Sequence, residues 1–423
     1  MKRSRLNYLL TFLFLLLAAK SNILSSSNLL WFVTLLSFFF VALKYNALTK
    51  KELRIFGGFS ISFFAYILIR NVLFNSLPMP FLVSDVLFLF KFLFLSFLFV
   101  AILKHETSQN IVKVMTDLTF ISFFFFAFQL IAGEAFFNLI IMLHLTPQDP
   151  PSEIFANCLV FTYTKELHDY RNSGFVWEPG GFGCFLIISL MLNLFINKFT
   201  FDRSSIILII GVITTVSTTA YLALLILLLM VYRYKHRKVN FGVIFLIPIL
   251  VLIVLKTPFI GEKIVDLYSS DMDNLENIEH LSHYYDDIEM QMRLNRFASI
   301  TYIYDMFKHK LIFGISNMYD EVMNKVYSVN ISNGIMDFMA KYGLVGFVYL
   351  MSCYARFCKK NVKYIECVVY CVLIMIVLGF GSPILTTPIA LMFLFLPYYK
   401  FPELIYVLVK KPVQVNIEYS SVN

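Results

Sequence analysis

The sequence predicts an all-α polytopic membrane protein of about 12 transmembrane helices, with both termini cytoplasmic and two long external segments. Three observations predict it. Of 423 residues, 59% are hydrophobic and only 15% are charged, with 47 Phe, and the mean hydropathy is +0.75. A soluble domain carries roughly 45–50% apolar and about 25% charged residues. Apolar stretches of near-spanning length recur along the chain, and Lys and Arg gather in alternate short loops between them. One globular core cannot hide so much apolar surface, so lipid is the solvent for much of the chain. A soluble enzyme, a nucleic-acid binder and a disordered scaffold are thereby excluded. The formal charge of +8 reflects loops that mark topology rather than a polyanion partner.

The spans read as 6–24, 29–43, 55–73, 85–103, 114–133 and 174–196, then 240–255, 335–355, 365–380 and 384–399. Ser204 to Tyr232 is too long for one ordinary span and short for two. Its flanks are both basic, Lys198 and Arg203 before it and Arg233, Lys235, Arg237 and Lys238 after it. Short basic loops mark the cytoplasm, so the chain crosses an even number of times between them. The polar run Thr214-Thr215-Val216-Ser217-Thr218-Thr219 supplies the turn between two short helices. The remaining basic loops, Lys2-Arg3-Ser4-Arg5, Lys50-Lys51 and Lys359-Lys360, agree with that count. Acidic residues concentrate in or beside 134–173 and 256–332, the external segments.

The chain divides into N-terminal helices 1–133, a first external segment 134–173, central helices 174–255, a large external loop domain 256–332, C-terminal helices 333–400 and a cytoplasmic tail 401–423. The basic start and the apolar run ending Ala18-Ala19 also resemble a signal peptide. No clean A-x-A site follows and a second apolar span comes at once, so the first helix is read as uncleaved. The six cysteines are scattered, with Cys158 alone in an external loop, so no disulfide framework is implied. His280 and His283 lack a third ligand at metal-binding spacing, and no metal is expected.

The first external segment begins with an apolar piece, Ala135 to Leu145, too short to span and suited to the interface or to re-entry. It ends at Tyr170-Arg171-Asn172-Ser173-Gly174-Phe175-Val176-Trp177-Glu178-Pro179-Gly180-Gly181-Phe182-Gly183, leading straight into a helix. Charged groups at a membrane boundary cost several kcal/mol unless they face a polar cavity or a partner, which makes Arg171 and Glu178 candidate functional residues. The plainer alternative is an Arg171–Glu178 ion pair closing the loop. In the second segment, Asp286 to Lys310 reads as a helix with Arg293 and Arg296 on one face, suited to a diphosphate. The alternative there is a solvated helix pairing Arg293 with Glu289. Asp337 and Lys341, at i,i+4, neutralise each other near the surface or serve the site.

These pieces, in this order, resemble the O-antigen polymerase and ligase superfamily of polytopic glycosyltransferases. Arg171-Asn172-Ser173-Gly174 through Glu178-Pro179 is similar to its R-x-x-G-x-x-x-[EN]-P motif, and Thr218-Thr219-Ala220-Tyr221 to its Ser/Thr turn. Arg293/Arg296 with Phe313-Gly314 resembles its arginine-to-glycine segment, and Ser332-Asn333 with Gly343-Leu344-Val345-Gly346 its H-N-x₉-G-L-x-G. Together they cover about residues 170–350. Ser332 stands where ligases carry histidine, and Glu178 in the E-P position looks more like a polymerase.

The resemblance implies a GT-C-like fold and a Wzy-type oligosaccharide repeat-unit polymerase of lipopolysaccharide biosynthesis. Donor and acceptor are then undecaprenyl-diphosphate-linked oligosaccharides, joined at the periplasmic face of the bacterial inner membrane without cofactor or metal. A flippase and a chain-length regulator are partners implied by resemblance alone, and no nucleic acid is expected. An acceptor hydroxyl attacks the anomeric carbon while polyprenyl diphosphate leaves. Arg171, Arg293 and Arg296 are then candidates to stabilise the leaving diphosphate. Glu178 is a general base, or else a partner orienting Arg171. Asn333 is a candidate to hold a sugar hydroxyl, and Gly174 and Gly180 let substrate approach the backbone.

Three alternatives stay open: a lipid-linked oligosaccharide flippase or other transporter, an O-antigen ligase, and a purely structural membrane subunit, which leaves Arg171 to Gly183 unexplained. Arg70, Asp85, Lys91, Asp117 and Glu366 favour a transporter, while the absence of any repeat between the halves counts against it.

Overall fold

The computed structural model describes residues 3–143, 145–146, 154–236, 292–294, 296–319, 321 and 329–399. The expected span 240–255, the tail 401–423, His280 and His283, Glu289 and much of the large external segment lie outside the described residues. What is described is mostly helical. Five helical runs are long and apolar enough to cross a membrane, with four shorter apolar helices beside them.

The first helices are α1 (Arg3–Ala18), α2 (Ile23–Ser26), α3 (Asn28–Lys44) and α4 (Lys50–Leu68). After α4 a π-helical turn covers Ile69–Phe74. Next come α5 (Met79–Phe88), a second π turn at Leu89–Leu93, α6 (Phe94–Leu103) and the long α7 (Thr107–Met142). The expected span 6–24 is therefore broken. Helix α1 ends at Ala18, and the side chain of Asn22 caps the next turn by accepting from the Ser25 amide at 3.1 Å.

Gly133 (φ 43°) kinks α7. Beyond the kink Phe136, Phe137 and Ile140 pack on Ala156, Phe161 and Tyr163 of a small hairpin, β1 (Phe155–Asn157) with β2 (Thr162–Thr164). The apolar piece Ala135–Leu145 thus has a protein face. Its other side leaves Leu139 and Met142 exposed.

The expected span 174–196 begins later, because α8 is Pro179–Ile196. Proline sits at its first turn, where the missing N–H costs nothing, and residues 174–178 stay irregular. The segment 204–232 does split, into α9 (Arg203–Thr214) and α10 (Thr218–Lys235). Val216 (φ 46°) makes the turn, and the Ser217 hydroxyl caps α10 at the Ala220 amide.

After the undescribed stretch come β3 (Met292–Leu294), α11 (Arg296–Phe307), β4 (Val329–Ile331), α12 (Gly334–Asn361), α13 (Ile365–Gly381) and α14 (Pro388–Leu391). Two short 3₁₀ turns, Met392–Leu394 and Leu396–Tyr398, follow α14 in place of the regular helix expected over 384–399. That stretch is almost wholly buried among the other helices, so packing rather than propensity sets its winding.

The outer faces of several helices present bare hydrocarbon, such as Ile61, Phe124 and Ile131, the last 85% exposed. This is the inverse of a water-soluble surface, as lipid solvation requires. The basic helix ends collect at one end of the bundle. There Lys104 lies 4.0 Å from Glu52, Arg233 3.5 Å from Glu366, and the Asn7 amide donates to Glu106 at 2.8 Å. Lys360 reaches the carbonyl of Pro397 at the same end.

Two weak motifs of the sequence explain each other. Gly343 (φ 67°) breaks α12, and Gly314 (φ 77°) lies against it so closely that a Cβ on either would overlap the other's backbone. Only glycine accepts both demands. Gly343→Ala is expected to cost about 1–3 kcal/mol through backbone conformation alone, before the clash is added. Thermal unfolding of the purified variant checks this, and an unchanged midpoint would contradict the crossing.

Candidate functional site

At the end of the bundle away from the basic helix ends, four termini converge: the start of α8, the α9–α10 turn, the end of α13 and the start of α12. The loop before α8 is tied down residue by residue. The amide of Gln129 donates to the carbonyls of His168 (3.0 Å) and Asp169 (2.7 Å). The Asn172 amide group donates to Ser122 (3.0 Å) and Thr214 (3.1 Å), and its oxygen accepts from the Gly174 amide (2.9 Å). Gly174 (φ 50°) has the ring of Phe182 where a Cβ would stand. It is a turn residue packed on the bundle, so its place differs from the expected substrate approach.

Arg171 is half-buried, with Nε donating to the Thr215 carbonyl at 3.1 Å and Nη1 3.5 Å from Nδ1 of His168. Burial pulls its guanidinium below the ordinary arginine value, and the nearby Arg296 pulls the same way. The Glu178 carboxylate opposes both. A guanidinium starts so high that it remains a permanent cation.

Glu178 occupies the N-cap position of α8, yet its side chain makes no capping bond. The carboxylate instead accepts from the Ser382 hydroxyl at 3.2 Å, and it stands near Gly180 and the Ser217 hydroxyl. Gly180 is thus the glycine of this helix that borders the charged site. A carboxylate here also sits at the positive end of the α8 dipole.

Arg296 opens α11 and holds the residue just before Ser382 in the same turn. Its Nε (3.2 Å) and Nη2 (3.0 Å) both donate to the Gly381 carbonyl. Asn333 locks this arrangement. Its Oδ1 accepts from the amides of Ile335 (3.0 Å) and Met336 (3.1 Å) as the cap of α12, and its Nδ2 donates to the Arg296 carbonyl (3.1 Å). At 1% exposure Asn333 positions Arg296 from within, where a sugar-holding amide had been expected.

The expected helix over 286–310 is corrected. Residues 292–294 form β3, paired in parallel with β4 so that Arg293 stands opposite Asn330, and the helix starts only at Arg296. Arg293 and Arg296 therefore share no helix face. Strand pairing with residues distant in sequence overrides the local periodicity. The position of the Arg293 side chain lies outside what is described.

Arg171, Glu178 and Arg296 are brought within electrostatic reach of one another. Ser382, Ser217, His168 and Trp177 were not singled out from the sequence. Gly381-Ser382-Pro383 carried only the signal of a helix end, and nothing local told that Glu178 and Arg296 would grip it.

Each of the charges that favoured a transporter has a partner in the protein, although only Arg70 and Asp85 are fully buried. Asp85 pairs with Arg70, Lys91 donates to Asn28 (2.9 Å), Asp117 accepts from Tyr8 (2.9 Å), and Glu366 lies 3.5 Å from Arg233. Asp337 and Lys341 form the expected ion pair at 2.9 Å, but largely buried rather than near the surface, with Asp337 also accepting from Tyr319.

Residues 204–351 match the family model Wzy_C, described as O-antigen ligase. This is consistent with the O-antigen polymerase and ligase superfamily, whose members are membrane glycosyltransferase-like enzymes. The match spans the α9–α10 turn, Arg296, Asn333 and the Gly343 kink, while Arg171 and Glu178 precede it. No curated protein and no solved structure matches the chain. With its apolar helices, this supports a membrane protein of the O-antigen pathway.

Proposed function

We propose that the chain is an O-antigen polymerase, a polyprenyl-diphosphate-dependent glycosyltransferase of the inner membrane acting at the periplasmic face. One observation carries the reading. Arg296 and Glu178 hold the Gly381–Ser382 turn, with Arg171 in electrostatic reach of both, at the end of the bundle opposite the basic loops. By the positive-inside rule that end is external.

In the reaction, the acceptor hydroxyl oxygen bonds to the donor's anomeric carbon as the bond to diphosphate breaks. The diphosphate leaves with the electron pair, and Arg171 and Arg296 offset the charge that grows on it. Glu178 takes the hydroxyl proton. Arg293 and Gly180 remain substrate-binding candidates of this reading, and Asn333 supports Arg296. Ser332 stands where ligases carry histidine, and Glu178 is the carboxylate in reach of the arginines, so this reading gives it the role of base. The family model's description favours the second reading, a ligase.

The test is the surface glycan of a null strain. For a polymerase, null cells show a single capped repeat unit and the wild-type gene restores the ladder. A ladder that persists on the carrier lipid but never reaches its final acceptor identifies a ligase. Loss of even the single unit, with lipid-linked units accumulating in the cytoplasm, identifies a flippase. A finer outcome concerns Arg296→Lys, which keeps the charge but loses the planar fork that holds Gly381. It is expected to lower polymer synthesis about tenfold at unchanged protein level, measured in membranes with labelled repeat unit.

A further inference from the structure

Lys20 is the strongest group that the donor site leaves unused. It lies in the connector between α1 and α2 with φ 56°, and that connector is fixed. The Ser21 hydroxyl donates to the Phe175 carbonyl at 2.6 Å, and the Asn22 side-chain amide donates to the Leu16 carbonyl at 2.8 Å. The side chain is open to solvent although protein surrounds it closely, so it lies in a recess. Its Nζ stands 6.0 Å from the ring centre of Trp177 and 3.5 Å from the Thr386 hydroxyl.

The charges around it are a second group. Lys20 feels Lys341 and Asp337, whereas Arg171 feels Glu178 and Arg296. Asp337 is already paired with Lys341 at 2.9 Å, and among the described residues no carboxylate forms an ion pair with Lys20. The Lys20 ammonium is open to solvent and forms no ion pair among the described residues, so it is placed to receive an anion from outside. The two groups of charge meet at consecutive residues, Trp177 beside Lys20 and Glu178 beside the arginines.

We propose that Lys20 anchors a second diphosphate subsite, which takes the diphosphate of the acceptor lipid. It rests on the polymerase reading, in which two lipid diphosphates meet across one base. The acceptor's hydroxyl then approaches Glu178 from the Trp177 side, while the donor's diphosphate leaves toward Arg171 and Arg296.

The experiment measures binding of farnesyl diphosphate to the purified full chain in nanodiscs. Wild type is expected to bind two equivalents. Lys20→Ala and Lys20→Gln should keep one and weaken the other roughly tenfold to a hundredfold, the scale of a lost charge-assisted contact. Lys20→Arg should retain both, and the double variant Arg171→Ala, Arg296→Ala should lose the other equivalent. A single equivalent in wild type overturns the proposal. So do two undisturbed equivalents in Lys20→Ala, or the loss of both at an unchanged melting temperature. Failure of the polymerase reading is seen separately, in the glycan ladder. Two-site binding without ladder dependence retires that reading and leaves the subsite standing.

Discussion

Glu178→Ala is expected to abolish the polymer ladder while leaving the protein in the membrane at its normal level. A positioned base contributes roughly 10²–10⁴-fold, and Glu178 is the carboxylate that stands between the arginines and the Ser382 hydroxyl. Glu178→Gln separates its two candidate roles. The amide oxygen can still accept from Ser382 but cannot take up a proton. If Glu178 is the base, Gln should be as inactive as Ala in a labelled repeat-unit assay. Retention of more than about a tenth of wild-type activity by Gln would leave Glu178 only the orienting role toward Arg171. Arg171→Ala should reduce synthesis on a comparable scale, because no other described side chain donates from that position to the Thr215 carbonyl.

The largest stability effect should come from Arg70 and Asp85, which pair at 0% exposure of either side chain. Asp85 also accepts from Asn71 (2.7 Å), Ser316 (3.1 Å) and the Asn317 amide (2.7 Å), and Arg70 reaches the Lys341 carbonyl. Together they fasten the 313–317 segment to the membrane helices beside the Gly343 kink. Removing one partner leaves a buried charge without its counter-charge, at a cost of about 3–5 kcal/mol. Asp85→Asn and Arg70→Met should each lower the melting temperature of the purified protein sharply. The double variant should lose less than the sum of the two singles. Strict additivity would show that the pair is not acting as a unit.

The arrangement of these charges shows where the sequence was legible. Composition and basic loops pointed to a lipid-solvated helical bundle. The polar run Thr214–Thr219 and its basic flanks gave the α9–α10 break, because charge in short loops and helix caps act over a few residues. Arg171 and Glu178 stood out because charge beside apolar helices is costly. The helix expected through Arg293 failed for the opposite reason, since β3 depends on a partner strand far along the chain. Asn333 was read as facing a sugar, yet its place as a helix cap under Arg296 depends on a contact 37 residues away in sequence.

By itself, then, the sequence determined the solvent, the helical class, the split of 204–232 and the charged candidates at the bundle's end. These follow from hydropathy, charge and capping, all of which are local. Only the tertiary structure decided that Glu178 and Arg296 close on one turn, that Gly314 and Gly343 cross, and that Lys20 lies in a recess across Trp177. Each of those joins elements remote in sequence, and close packing of their backbones, which leaves no periodic trace in the chain, settles which side chains meet.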